Sequence, residues 1–178
     1  CTGMIDARGR WVLKPGVWEA IGDCHEGRCS FREVGGSRHG FIDRDGKVVI
    51  PARYEFADRF YEGLAFVRDF DGNGFYLDRD GNVKVRPPRG AESWRFSEGL
   101  AAVKIPPKDV TSGTEAYKAL QREFMSENPG LWGFISTRGD VVVEARYRSV
   151  GDFHEGLAPV STDDLGDFIG SSFHVDMD

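Results

Sequence analysis

A two-part pattern written four times constrains this chain more than any other feature in it. The first part is Gly40-Phe41-Ile42-Asp43-Arg44-Asp45-Gly46. It recurs as Gly3-Met4-Ile5-Asp6-Ala7-Arg8-Gly9, as Gly133-Phe134-Ile135-Ser136-Thr137-Arg138-Gly139, and in stretched form as Gly74-Phe75-Tyr76-Leu77-Asp78-Arg79-Asp80-Gly81. The second part is a Glu-Gly pair whose glycine lies 17 or 18 residues beyond the first part's closing glycine: Glu26-Gly27, Glu62-Gly63, Glu98-Gly99 and Glu155-Gly156. Three of these pairs run on as Leu-Ala-x-Val, over 64–67, 100–103 and 157–160. A fixed period of this kind means stacked supersecondary units, each burying its apolar face on its neighbours. The closing glycines are 37, 35 and 58 residues apart, so the last interval holds an insertion. The expected organisation is one domain over 1–178, with units at about 3–38, 39–72, 73–104 and 132–160, an insertion over 105–131 and a tail over 161–178.

Inside a unit the residues ask for short antiparallel strands. Asp43-Arg44-Asp45-Gly46 is a tight turn, because Asp hydrogen-bonds its own backbone and Gly takes positive φ without steric cost. It joins Phe41-Ile42 to Lys47-Val48-Val49-Ile50, which Pro51 closes. Two positions past the turn glycine stand Trp11, Val48, Val83 and Val141, and four past it Leu13, Ile50, Val85 and Val143. Alternation predicts that both members of each pair face inward. The Glu-Gly pair is a second hairpin corner, with Phe60, Ala65 and Val67 on one face, matched by Phe96, Ala101 and Val103 and by Phe153, Ala158 and Val160. The insertion reads as an amphipathic helix around 114–126: Thr114 caps it, Tyr117, Leu120 and Phe124 form its stripe, and Asn128-Pro129-Gly130 stops it.

On these residues the chain resembles the WG-repeat family of bacterial proteins, whose units read roughly Trp-Gly-Phe-Ile-Asp, a glycine turn, an apolar strand with proline, and Phe-x-Glu-Gly-Leu-Ala-x-Val. The dipeptide itself survives only as Trp132-Gly133; Thr2-Gly3, His39-Gly40 and Asn73-Gly74 replace it elsewhere. The resemblance implies an all-β fold of four tandem antiparallel repeats, in an open curved or propeller-like array, used as a binding scaffold and often found in secreted or envelope proteins. It implies no catalytic residues, so function rests on what is particular to this chain.

Composition narrows the choice. Net charge is −6, from 29 Asp+Glu against 23 Lys+Arg, which argues against binding a phosphate backbone. No apolar run reaches the roughly 18 residues needed to span a bilayer, and 3 Cys are too few to staple a fold of this size. Asp69-Phe70-Asp71-Gly72-Asn73, with Asp80 beyond, has oxygen ligands at the spacing of a calcium loop, against the plainer reading of a β-turn connecting two strands. Cys24 and Cys29 face each other across the Glu26-Gly27 corner, within reach of a disulfide, or else fill inward sites as small thiols. No triad, nucleophile elbow or phosphate loop is present in the sequence, and no cofactor is expected.

More informative are aromatics where other copies carry small or polar residues. Trp94 stands where the other units have Gly22, Asp58 and Gly151; Tyr61 where they have His25, Ser97 and His154; Phe66 where they have Ser30, Ala102 and Pro159. With Arg59 and Arg95 nearby, they are the candidate partner-binding residues, unless a neighbouring unit or the insertion covers them. Cys1 fits either the lipid-bearing first residue of a mature lipoprotein or the start of a segment from a longer array. The expected function is a non-enzymatic, protein-binding scaffold of the bacterial cell envelope, periplasmic or lipid-anchored. A narrower form is an immunity lipoprotein that blocks a toxin or enzyme. The alternatives are a carbohydrate- or peptidoglycan-binding module and a structural segment of a longer surface protein.

Overall fold

The turn and corner glycines do what the sequence asks of them, and the strands they join are all antiparallel. The computed structural model describes residues 2–88, 91–105 and 130–162, and the backbone of 173–176. The expected helix around 114–126 and Cys1 lie outside the described residues. Among those described, every regular element is a strand.

In chain order the strands are β1 (Thr2–Ile5), β2 (Trp11–Trp18), β3 (Ala20–His25), β4 (Arg28–Arg32), β5 (His39–Ile42), β6 (Val48–Tyr54), β7 (Phe56–Tyr61), β8 (Leu64–Arg68), β9 (Gly74–Leu77), β10 (Val83–Val85), β11 (Glu92–Ser97), β12 (Leu100–Ile105), β13 (Leu131–Ser136), β14 (Val141–Tyr147), β15 (Ser149–Val150), β16 (Leu157–Ser161) and β17 (Phe173–Asp176). They form the sheets β1-β2, β3-β4-β5-β6, β7-β8-β9-β10, β11-β12-β13-β14 and β15-β16-β17. Each four-stranded sheet therefore joins the Glu-Gly hairpin of one sequence unit to the Gly-Phe-Ile hairpin of the next. A single residue, Glu19, Glu55 or Arg148, carries the chain from one sheet into the following one at three of the crossings.

Two devices shape every unit. The turn acid accepts two backbone N–H bonds: Asp43 Oδ1 from Asp45 (3.0 Å) and Lys47 (2.9 Å), Asp78 Oδ1 from Asp80 (3.0 Å) and Asn82 (2.8 Å), with Asp6 the same and Ser136 Oγ in the fourth copy. The strand after the turn then carries a bulge. Ile42 pairs with Val48 but Phe41 with Ile50, and the same slip recurs opposite Ile5, Leu77 and Ile135. An extra residue turns the side chains around it, which overturns the expected inward pair. Val48, Val83 and Val141 are exposed and Trp11 more so, while Ile50 and Val85 are buried and Leu13 and Val143 pack against the core.

Gly40 shows why the first part must open on glycine. A Cβ there would lie 2.5 Å from the Ile50 carbonyl oxygen and 2.7 Å from the Ala52 nitrogen, so β5 lies too close to β6 for any side chain.

The chain divides into two units, Cys1–Arg86 and Pro87–Asp178. In the first, Phe41, Ile50, Tyr54, Phe60, Ala65, Val67, Phe75 and Leu77 interlock between two sheets, and a second cluster of Cys29, Phe31 and Ile42 receives Met4, Leu13, Trp18 and Ile21. In the second, Leu100, Ala102, Trp132, Phe134, Tyr147, Val150, Phe153, Ala158 and Val160 form one core. Equivalent edge-to-face pairs, Phe41 with Phe60 and Phe134 with Phe153, each at 4.9 Å, sit at the heart of both.

Candidate binding surface

The Glu-Gly corners are two-residue loops between His25 and Arg28, Tyr61 and Leu64, and Ser97 and Leu100. All four glutamates are left-handed, with φ of 50–53°, and each is followed by a glycine of positive φ. That is the type I′ geometry, in which Asn or Gly is the ordinary first residue. A left-handed glutamate costs about 1–2 kcal/mol. The structure shows the compensation. The Glu98 carboxylate accepts the backbone N–H groups of Glu155 (2.7 Å) and Gly156 (2.8 Å) at the next corner of its unit. Glu26 Oε2 accepts the Gly63 N–H at 2.8 Å and pairs with Arg79 at 2.7 Å. Hydrogen bonds to a charged group contribute about 1.5–3 kcal/mol each, enough to outweigh the strain. Partial burial of Glu26 favours its protonated form, but Arg79 and the N–H groups of Gly63 and Glu62 prevail and hold its carboxyl below the usual range. Sequence reasoning missed this link between corners; its signal was glutamate, four times over, where a hairpin prefers asparagine.

Other expected site residues join the same rim. At two of the corners the side chain before the glutamate reaches the next corner's phenylalanine carbonyl: His25 Nδ1 lies 2.6 Å from the Phe60 oxygen, and Ser97 Oγ donates to the Phe153 oxygen at 2.7 Å. Tyr61 is half-buried with its ring 4.5 Å from that of His25. Arg59 pairs with Asp23 at 2.5 Å and Arg95 pairs with Asp152, so both arginines are engaged by acids of their own unit.

The aromatics separate. Phe66 is only 9% exposed and is packed by Phe56 and Tyr76, so it leaves the expected surface patch for the interior. The reason is Gly74: its missing side chain makes the space that the Phe66 ring fills. Trp94 stays 37% exposed, its ring packed at 4.7 Å and tilted by 57° against the buried Trp132, with Lys104 Nζ 5.9 Å above the Trp132 ring. Trp94 occupies the irregular stretch of β11 between Ser93 and Phe96, and the residue of β12 at its level is only Ala102. At Gly22 and Gly151, the matching positions, a Cβ would crowd the side chains of Ser30 and Pro159, so a larger residue there requires these neighbours to shift.

Cys24 and Cys29 are register partners and are joined by a disulfide across their corner. The expected calcium loop is one more copy of the repeat's turn. Asp69 Oδ1 accepts the N–H groups of Asp71 (3.0 Å) and Asn73 (2.8 Å), Asn73 Nδ2 donates to its other oxygen at 3.0 Å, and Asp80 belongs to the following turn. Among the described residues no group of three or more His, Cys, Asp or Glu side chains is placed to hold a metal ion.

The repeated turn, bulge, close-approach glycine and left-handed corner define a repeat type, and a family model meets the chain on the same residues. The model of the WG containing repeat matches 40–73 and 132–165. These two segments are WG containing repeats. The first matched WG repeat runs through β5, β6, β7 and β8, two strands in each of two sheets. In the second, Trp132 is buried opposite Tyr147, a place taken by the smaller His39 opposite Tyr54 in the first. No curated protein matches the chain. Among solved structures, the crystal structure of the computationally designed Ika4 protein is similar at a TM-score of 0.49 and 10% identity, over 93% of this chain and 94% of that one.

Proposed function

We propose that this chain is a non-enzymatic WG-repeat scaffold that binds a protein partner in the bacterial cell envelope, its four units standing as an open or propeller-like array. The observation that carries this reading is Trp94. A large indole kept more than a third exposed, at the irregular stretch of β11 and backed by a second tryptophan, has the character of an interface anchor. The corner disulfide supports an envelope setting, since such bonds form and persist where conditions are oxidising. In a narrower form the chain is an inhibitor, such as an immunity lipoprotein, whose net charge of −6 suits a basic toxin or enzyme. Crosslinked capture from native envelope extracts tests this: the wild type should recover a protein that Trp94→Ala and Tyr61→Ala lose, and recovery of the same proteins by all three chains would refute it.

The tryptophan pair with Lys104 above it also favours a second reading, a carbohydrate- or peptidoglycan-binding module in which Trp94 stacks on sugar rings. Glycan-array binding that Trp94→Ala abolishes would put this reading first.

A further inference from the structure

Three of the Glu-Gly corners are anchored by a ring. Phe60, Phe96 and Phe153 precede them, each at most 2% exposed, and Ala65, Ala101 and Ala158 follow them, all 0% exposed. The Phe60 and Phe153 rings lock edge-to-face on Phe41 and Phe134 of the preceding sheet. The first corner has Cys24 and Cys29 in these places and no ring, so its two sides are tied by the disulfide instead.

The residues this bond encloses, His25-Glu26-Gly27-Arg28, hold the next sheet. His25 Nδ1 lies 2.6 Å from the Phe60 oxygen, and its ring lies 4.5 Å from that of Tyr61. Glu26 accepts the Gly63 N–H at 2.8 Å and pairs with Arg79 at 2.7 Å, and Arg28 Nε donates to the Arg79 carbonyl at 3.1 Å. All of these contacts start inside the loop that the disulfide closes.

The two sulfurs are not equivalent. Cys29 is 0% exposed, clustered with Phe31 and Ile42, whereas Cys24 is exposed. Exchange depends on access, so a thiolate arriving from solvent reaches Cys24 alone. Its attack on Cys24 Sγ forms a mixed disulfide and breaks the Cys24–Cys29 bond, and Cys29 leaves as a thiolate that takes up a proton. Because Cys29 stays in register opposite Cys24, it expels a monothiol by the reverse step. A dithiol escapes this reversal: its second thiol attacks its own bonded sulfur and releases Cys24. Two electrons and two protons pass from the dithiol to the chain, and the dithiol departs as its disulfide.

We propose that Cys24–Cys29 is a thiol-exchange site, opened at Cys24 by a dithiol of the Cys-x-x-Cys class, and that the bond is the latch holding the first Glu-Gly corner on the second. Once opened, the first corner has neither bond nor ring to fix it, and the Glu26 carboxylate leaves the Gly63 N–H. Tyr61 then loses the His25 ring beside it, so the state of the bond sets the surface around a candidate partner-binding residue. No partner is needed for the exchange itself.

NMR of the full chain, oxidised and then reduced with dithiothreitol, tests the latch. On reduction the backbone order parameters of Glu26 and Gly27 should fall from about 0.85 to below about 0.6. The Gly63 amide proton should move upfield as it loses its carboxylate, while β8 and β9 keep their order parameters. Cys24→Ser should show the reduced pattern with or without dithiothreitol. Brief alkylation of the reduced chain with iodoacetamide should modify Cys24 at least tenfold faster than Cys29. A Gly63 amide that stays in place on reduction or in Cys24→Ser would overturn the latch, as would a loss of order that reaches β8 and β9. Alkylation of both thiols at equal rates would overturn Cys24 as the point of entry.

Discussion

At the scale of the residue, the four left-handed glutamates are one residue type in one conformation with two different fates. Glu98 offsets its backbone strain by capping the next corner, whereas Glu155 has strain without an acceptor role among the described residues. The same substitution should therefore act with opposite sign at the two sites. Asparagine tolerates the left-handed region but is too short to reach the next corner. Glu155→Asn should stabilise the chain by about 0.5–1 kcal/mol, while Glu98→Asn should destabilise it by about 1–2 kcal/mol, both read from urea unfolding. Equal shifts of the same sign would show that the carboxylate links contribute nothing.

At the scale of the element, the turn acids decide how the hairpins respond to pH. Partial burial of Asp78 works against its charged form, but hydrogen bonds from Asn82, from the Asn82 and Asp80 backbone and from Lys84 outweigh it, holding the carboxyl at about 2 against an ordinary 3.8. The unfolded chain takes up this proton first, so the stability Asp78 contributes is full above the ordinary value and lost as pH falls through the folded one. The difference in urea midpoint between wild type and Asp78→Asn should accordingly shrink as pH is lowered from about 5 to about 2. These turns and the Glu-Gly corners were legible in the sequence because they rest on local backbone needs: glycine for positive φ, a short acid for a turn. What was not legible depends on partners distant in the chain. The outward swing of Val48 comes from a bulge opposite Phe41 and Ile42, and the burial of Phe66 from the missing side chain of Gly74. Arg59 and Arg95 looked available only because Asp23 and Asp152 lie 36 and 57 residues away in sequence.

At the scale of the whole molecule, each of the two units carries its own pair of tryptophans, Trp11 and Trp18 in the first and Trp94 and Trp132 in the second. The Cys24–Cys29 disulfide belongs to the first unit alone, and closing so short a loop stabilises by about 2 kcal/mol on chain-entropy grounds. Reduction should therefore lower the unfolding midpoint seen by Trp11 and Trp18, in a chain with Trp94→Phe and Trp132→Phe. It should leave unchanged the midpoint seen by Trp94 and Trp132 in the reciprocal chain. Equal shifts in both would mean that the units melt as one.

The offset between sequence unit and sheet has a practical outcome for anyone cutting or grafting this chain. A segment excised at its written period, between Arg38 and His39, carries two half-sheets and leaves two more behind. Moving the same cut to the one-residue crossings at Glu19 and Glu55 releases β3 to β6 as a finished four-stranded piece. The period that is easiest to see is thus the wrong module to transplant, and libraries that shuffle such segments should take their joints from the crossings.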